Sequence, residues 1–212
     1  MKKAAKAVIF DLGNVLVSFD NRKNLTQLNQ LLTQKLDEES LEKLLYGDAK
    51  TKETNLFDQY QMGNISTAKF FENLRIRLSF NSAVNLKQLQ RLWVDRFNLK
   101  TETLDLLRQL KIHRRYILSD TNDLDATFIQ KNFPEIFAEI DANFFSHQQR
   151  VNKYNHQAWK NVLAHSGLSA DAHVFIDDRA DHVGRAKELG IHGIIFTTAS
   201  EVEVQLKKLD YL

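Results

Sequence analysis

Residues 7–17, Ala-Val-Ile-Phe-Asp-Leu-Gly-Asn-Val-Leu-Val, constrain what this chain can become more than any other stretch. Val8, Ile9 and Phe10 form a short β-prone apolar run, which suits a strand buried on both faces. Asp11 ends the run where such a strand emerges into a loop. In open parallel α/β sheets, ligands bind at the carboxyl ends of the strands. Gly13 lets the backbone turn sharply or approach a ligand closely, and Asn14 tolerates left-handed backbone. Taken alone, the stretch reads equally well as a strand cap followed by a turn.

Three later stretches repeat the pattern. Tyr116-Ile117-Leu118 is a second apolar run, ending in Ser119-Asp120-Thr121-Asn122. Ala142-Asn143-Phe144-Phe145-Ser146 precedes Lys153, which opens a helix. Val174-Phe175-Ile176 ends in the carboxylate pair Asp177-Asp178, and Ile194-Ile195-Phe196 is one more strand. Apolar residues at helical spacing predict helices over 101–112, 124–132, 156–166, 180–189 and 202–209. Gly167 and Gly190 stop two of them, and Pro134, the only proline, marks a turn. Strands alternating with helices predict a parallel sheet with helices on both faces.

Residues 24–97 break this alternation. Leu25, Leu28, Leu31 and Leu32 recur at helical intervals, as do Leu41, Leu44 and Leu45 behind Ser40 as N-cap. Phe57 and Tyr60 share a helix face that Gly63-Asn64 ends. Ser66 caps a helix carrying Phe70, Phe71, Leu74 and Leu78, and Leu86 to Phe97 is a further helix. The chain therefore divides into an α/β core, residues 1–20 and 99–212, and a helical module, residues 21–98, inserted after the first strand. Ser18-Phe19-Asp20-Asn21 reads as the turn leading into the module, whose aromatics read as its own core.

At 212 residues the chain is long enough to bury a sizeable core. A net charge of +2 with no basic stripe gives no footprint for nucleic acid or an anionic membrane. The absence of cysteine excludes disulfides, thiolate catalysis and zinc–thiolate sites. The basic start, Met1 to Lys6, has too short an apolar run for a signal peptide, and no stretch approaches a membrane span. The expectation is a soluble cytoplasmic protein.

The order Asp11, Ser119, Lys153, Asp177-Asp178 resembles the haloacid dehalogenase-like hydrolase superfamily, whose motifs are a nucleophilic Asp, a Ser or Thr, a Lys and an acidic pair. FDLGNVLVSFD, LSDTN and IDDRAD look especially like the sugar-phosphatase branch that includes α-D-glucose-1-phosphate phosphatase. The resemblance covers essentially the whole chain. It implies a Rossmann-like sheet with a small helical cap over the active site. It implies a magnesium-dependent phosphomonoester hydrolase for a small phosphorylated metabolite, a sugar phosphate among the candidates, working through an aspartyl-phosphate. It also implies Asp11, the Gly13 carbonyl and Asp177 as Mg2+ ligands, with Asp178 and Asp181 as outer or alternate ligands.

Elementary chemistry agrees with these assignments. A phosphate monoester is anionic and hydrolyses extremely slowly unaided. Asp11 can attack phosphorus and divide one hard step into two easier ones. Asp11, Asp177 and Asp178 at adjacent strand ends repel one another unless a hard cation with oxygen ligands joins them. Lys153 supplies a positive charge to Asp11 and the phosphate. Ser119 and the backbone amides of Leu12, Gly13 and Asp120 can donate to phosphate oxygens.

Each residue also has a purely structural reading. A lysine at a helix start is ordinarily solvated, and Asp177-Asp178 could be a helix N-cap. Asp120-Thr121-Asn122 could cap the next helix, and Asp181 could be a first-turn helix acid. His147, His156, His165, His182 and His192 show no ligand spacing and read as surface residues. Two departures from the family pattern stand out. The second Asp common two residues after the nucleophile, a general acid and base, is here Gly13, a change the resembling branch shares. Asp20 and Asp120 are candidates for its proton. Lys153 is followed by Tyr154 where proline is common. Three functions remain open: the magnesium-dependent phosphatase, a metal-free dehalogenase of the same fold, and a non-catalytic phosphate-binding or regulatory protein. Without an acid at Gly13, weakly basic leaving groups should be favoured.

Overall fold

All four residues of β1 (Ala7–Phe10) are fully buried, as a central strand covered on both faces must be. The computed structural model describes residues 5–47, 55–111 and 114–212. Among these residues, β1 is followed by a short strand, β2 (Val17–Phe19), and then by five helices. These are α1 (Asn21–Gln30), α2 (Glu38–Tyr46), α3 (Leu56–Gln61), α4 (Thr67–Arg77) and α5 (Leu86–Val94). Strand β3 (Phe97–Leu99) brings the chain back. The remainder runs α6 (Thr101–Gln109), β4 (Arg115–Ser119), α7 (Asp123–Asn132), α8 (Pro134–Phe137) and β5 (Ala142–Phe145). It continues through α9 (Ser146–Gln149), α10 (His156–Ser166), β6 (His173–Asp177), α11 (Ala180–Glu188), β7 (His192–Ile195) and α12 (Ala199–Lys208).

The main sheet has the order β5-β4-β1-β6-β7, and every pair in it is parallel. Because successive strand side chains alternate faces, β1 feeds two cores. Val8 and Phe10 join α6, α7, α8 and α12 on one side. Ala7 and Ile9 join Trp159 and Val162 of α10 and Val183 and Ala186 of α11 on the other. The chain builds outward from β1 through β4 to β5, then crosses back to place β6 on β1's other side. That reversal is the switch point where doubly wound sheets open a crevice at their carboxyl edge. Among the described residues no helix is long and apolar enough to cross a membrane.

The five inserted helices pack on an apolar cluster of their own, centred on Trp93 with Leu25, Leu28, Phe70, Phe71 and Leu89. The rings of Phe70 and Phe71 meet Trp93 edge-on at 5.3 and 5.8 Å between centroids, a favourable aromatic geometry. Three ties among those that hold this layer to the sheet stand out. Arg96 donates to Asp125 of α7 at 2.8 Å and to Asn21 at 2.9 Å. The Ser146 hydroxyl accepts from the Thr121 amide at 2.9 Å and lies 2.7 Å from the Gln61 carbonyl. Gly63 sits so close to α9 that a Cβ there would lie 2.2 Å from the His147 carbonyl oxygen, in a backbone with φ of +69°, so only glycine fits.

Several expectations need correction. Residues 18–21 are not simply a turn. Val17–Phe19 pairs antiparallel with Phe97–Leu99, so the module is joined by a two-stranded ribbon and Phe97 is strand, not helix. Asp37, not Ser40, caps α2, accepting from the Ser40 amide at 2.8 Å. Pro134 opens α8, where its missing N–H costs nothing. Asn14, with φ of 56°, takes the left-handed position of the first loop as expected, so the turn there does not draw on the conformational freedom of Gly13. The last residue of the helix expected over 101–112, residues 1–4 at the basic start, and residues 48–54 of the insert lie outside the described residues.

Arg96 and Asp125 are each about 6% exposed, so removing one leaves the other charge buried alone. Arg96→Ala is expected to cost about 3–5 kcal/mol in urea denaturation. A loss below 1 kcal/mol would show that water reaches and solvates Asp125.

Candidate active site

The carboxyl ends of β4, β1 and β6 lie side by side, which brings Ser119, Asp11 and Asp177 onto one edge of the sheet. The Asp11 amide continues the ladder by donating to the Ile176 carbonyl at 2.8 Å. Asp11 and Ser119 line a cavity of about 760 Å3 between the sheet edge and the inserted helices, and Asp177 is fully buried behind Lys153. Leu12, Gly13, Asp120, Lys153 and Asp178 line it too. Tyr46, Phe57 and Gln61 face it from the insert, and Phe19 and Arg96 from the connecting ribbon.

Lys153 is the hub of the site. Its Nζ lies 2.9 Å from Asp11 Oδ1 and 2.6 Å from Asp177 Oδ2, with the side chain about 1% exposed. Lys153 does not open a helix, contrary to the expectation from the sequence. It lies instead in the turn ahead of α10, whose N-cap is Asn155. Two further bonds fix that turn. The Lys153 amide donates to Asp120 Oδ1 at 2.9 Å, and the Trp159 indole donates to the Lys153 carbonyl at 3.1 Å. Burial works against the ammonium charge, but Asp11, Asp177 and Asp120 outweigh it and hold its pKa above the ordinary lysine value.

The two carboxylates flanking Lys153 differ. Burial pushes Asp11 up to about 6, and neighbouring Asp177 adds to the rise against the pull of Lys153. Burial also acts on Asp177, but hydrogen bonds from His182 and Lys153 overcome it and hold that carboxyl at about 2. Asp177 is thus the settled anion and Asp11 the one whose charge depends on its surroundings. The Leu12 amide donates to Asp11 Oδ1 at 2.7 Å, so its hydrogen serves the carboxylate here rather than a phosphate oxygen.

One oxygen from each of Asp11, Asp177 and Asp178 lies within 4.8 Å of the other two. Asp178 is oriented by Asn14, whose Nδ2 donates to its Oδ2 at 2.9 Å. Three carboxylates against one ammonium leave two negative charges at the sheet edge. A set of hard oxygen donors with that charge suits a divalent cation such as magnesium. Asp181 stands apart from this cluster. Its carboxylate is held by Arg179 at 2.8 Å and by the Tyr154 hydroxyl at 2.8 Å on the exposed surface, and the Arg179 bond lowers its pKa.

His182, expected at the surface, is about 3% exposed, lines the cavity and has Nδ1 3.1 Å from Asp177 Oδ2. It is the third residue of α11, so its ring reaches back to the strand end that precedes the helix. His147 is half-buried, with Nδ1 3.1 Å from the Thr121 carbonyl. Asp20 is exposed and caps α1 through the Lys23 amide at 2.9 Å, which removes it from the site. Asp120 remains in the cavity wall, and Ser119 is buried at the end of β4.

Comparison with known proteins gives a consistent picture. A family model described as a haloacid dehalogenase-like hydrolase matches residues 5–209. A haloacid dehalogenase (HAD) family enzyme of Bacteroides thetaiotaomicron is 25% identical, with a TM-score of 0.77 over 92% of this chain and 95% of that one. Its crystal structure is an aspartate-to-alanine mutant in complex with magnesium and inorganic phosphate. A predicted HAD-like family hydrolase of Porphyromonas gingivalis shares the fold, at 20% identity and a TM-score of 0.80 over 99% of this chain and 100% of that one. The L-2-haloacid dehalogenase of Xanthobacter autotrophicus shares it more loosely, at 16% identity and 0.62 over 98% and 84%.

The charge balance around Lys153 can be tested without any substrate. In chelator, Lys153→Met should lower the stability of the protein by about 3–5 kcal/mol, because two buried carboxylates lose their shared cation. Added magnesium should shrink that deficit. An unchanged urea midpoint in chelator would show that Lys153 does not compensate Asp11 and Asp177.

Proposed function

The chain belongs to the haloacid dehalogenase-like hydrolases, and from that membership we propose a magnesium-dependent phosphomonoesterase that acts on a small phosphorylated metabolite through an aspartyl-phosphate on Asp11. The observation that carries the reading is the contact of Lys153 with both Asp11 and Asp177 beside the three-carboxylate cluster. The magnesium and phosphate bound to the Bacteroides thetaiotaomicron enzyme support the same choice of cofactor and substrate group. A sugar phosphate is the substrate we favour, on the likeness of residues 10–20 to the sugar-phosphatase branch.

In this reading Asp11, Asp177, Asp178 and the Gly13 carbonyl hold magnesium, which supplies positive charge to the phosphoryl oxygens. Asp11 attacks phosphorus, the bond to the ester oxygen breaks, and water then releases phosphate from Asp11. The Leu12 amide orients the attacking carboxylate. Lys153 holds Asp11 as an anion and meets the incoming phosphate with a second positive charge. The Ser119 hydroxyl and the amides of Gly13 and Asp120 receive the remaining phosphate oxygens. His182 donates to Asp177 and keeps that carboxylate turned toward the cluster. A metal-free dehalogenase is the weaker reading, since it would leave Asp178 beside two other carboxylates with only Lys153 to balance them.

The inserted helices, residues 21–98, serve as a cap that encloses the cavity and selects the leaving group. Closure of such a cap excludes water from the phosphate site. Here the ties through Arg96, Ser146 and Gly63 hold it against the sheet edge.

Turnover of a panel of small phosphate esters should require magnesium, and Asp11→Asn should abolish it with the fold intact. Full activity in chelator, or in Asp11→Asn, would overturn the mechanism. Tyr46→Ala in the cap should change the ranking of esters on that panel while leaving magnesium affinity by calorimetry within about twofold, the scale of a peripheral perturbation. An unchanged ranking would remove the cap from substrate selection.

A further inference from the structure

Beside the nucleophile, the cavity wall is aromatic where a proton donor would be useful. A Cβ added to Gly13 would lie 3.0 Å from Phe19 Cε1, with Cδ1 at 3.8 Å and Cζ at 4.0 Å. Gly13 is not among the residues with positive φ, so the backbone would accept a side chain. It is the ring that stands in the way, and a Cβ alone already presses on it before any carboxyl is attached.

Phe19 is held there by several elements. It ends β2 and pairs in register with Phe97 of β3. The two rings meet edge-on, 6.1 Å apart with 72° between planes. The Arg96 guanidinium carbon lies 5.7 Å from the Phe19 centroid, and Arg96 is itself fixed by Asp125 and Asn21. Three acids near the sheet edge are engaged elsewhere. Asp20 caps α1, Asp120 accepts from the Lys153 amide, and Asp178 accepts from Asn14.

We propose that Phe19 is the residue that sets the leaving-group class of this enzyme: its ring closes the space beside Gly13 to an acid and restricts turnover to phosphates of weakly basic oxygens. The proposal rests on the phosphatase reading. In the first step the Asp11 oxygen bonds to phosphorus, and the electron pair of the breaking P–O bond goes to the leaving oxygen. With no donor beside it, that oxygen departs as an anion and takes its proton from bulk water afterwards. Aryl, acyl, enol and anomeric sugar phosphates tolerate this better than phosphates of ordinary alcohols, which would leave as strongly basic alkoxides. In the second step water bonds to phosphorus, the Asp11 oxygen leaves as carboxylate, and both of the water's protons end on the released phosphate, as dihydrogen phosphate.

The test is the dependence of kcat/KM on leaving-group pKa across a series of aryl and alkyl phosphates, with magnesium present. The natural protein should show a steep fall as the leaving group becomes more basic. Gly13→Asp alone, whatever it costs in absolute rate, should leave the steepness of that fall as it is, whereas Gly13→Asp combined with Phe19→Ala should flatten it. The double variant should gain about 100-fold or more on the poorest leaving group relative to the best, the scale of general acid catalysis. A flat dependence in the natural protein overturns the proposal without any variant having to fold. An equal gain from Gly13→Asp alone overturns it as well, because the ring would not then be the barrier. No turnover of any ester overturns the phosphatase reading and this proposal together, whereas turnover with a flat dependence overturns this proposal alone.

Discussion

A single buried ammonium, that of Lys153, lies between two carboxylates that the sheet forces together. β1 and β6 are neighbours at the switch point, and each ends in an aspartate. Parallel pairing fixes their carboxyl ends to the same edge, so Asp11 and Asp177 cannot move apart without breaking the ladder. Lys153 reaches both at hydrogen-bonding distance. Charges buried this way seldom add net stability over apolar packing, yet removing one member is costly. The structure nonetheless devotes several elements to keeping Lys153 there. Asp120 after β4 holds its amide, and Trp159 of α10, packed on Phe175 of β6, holds its carbonyl. A group so expensive to bury and so carefully fixed is best explained by chemistry at the sheet edge.

The charge arrangement also explains the different characters of the two carboxylates. Asp177 has Lys153, His182 and the Arg179 amide, three donors in all. Asp11 has Lys153 and the Leu12 amide. More donors keep an anion an anion, while fewer donors and deep burial leave it less stabilised. A less stabilised carboxylate is the better nucleophile, and a well-stabilised one is the better fixed ligand. The division of roles between Asp11 and Asp177 therefore follows from which backbone and side-chain donors each strand end happens to meet.

Much of this was legible in the sequence because buried parallel strands read as continuous apolar runs. Val8–Phe10, Tyr116–Leu118 and Val174–Ile176 each lie inside a strand of the sheet, and the polar residue ending each run lies at the sheet's carboxyl edge. What escaped has a common cause. β2 and β3 are three residues each, and Val-Ser-Phe and Phe-Asn-Leu carry too little pattern to mark a strand, so their pairing is decided by tertiary contact. His182 carried a usable signal. It is the third residue of a helix that follows a carboxylate strand end, a position from which a side chain folds back toward that end. Ser146, Gln61 and Arg96 carried none, because their partners lie 85, 85 and 29 residues away.

The ribbon missing from the sequence reading connects architecture to chemistry. Two three-residue strands are too short to hold a hairpin on their own, so the ribbon depends on what packs around it. Arg96 lies between α5 and β3, one residue beyond the Asp95 C-cap, and its guanidinium packs on the rings of Trp93, Phe97 and Phe19 while pairing with Asp125 of α7. One side chain thereby joins the cap's core, the ribbon and α7. Any movement of the cap relative to the sheet must pass through the ribbon, and the ribbon ends in Phe19, against Gly13 and beside Asp11. Cap position and the environment of the leaving oxygen are therefore coupled through the placement of one ring. In the proposed mechanism the inserted helices act on the reaction through that aromatic wall as well as through the shape of the cavity.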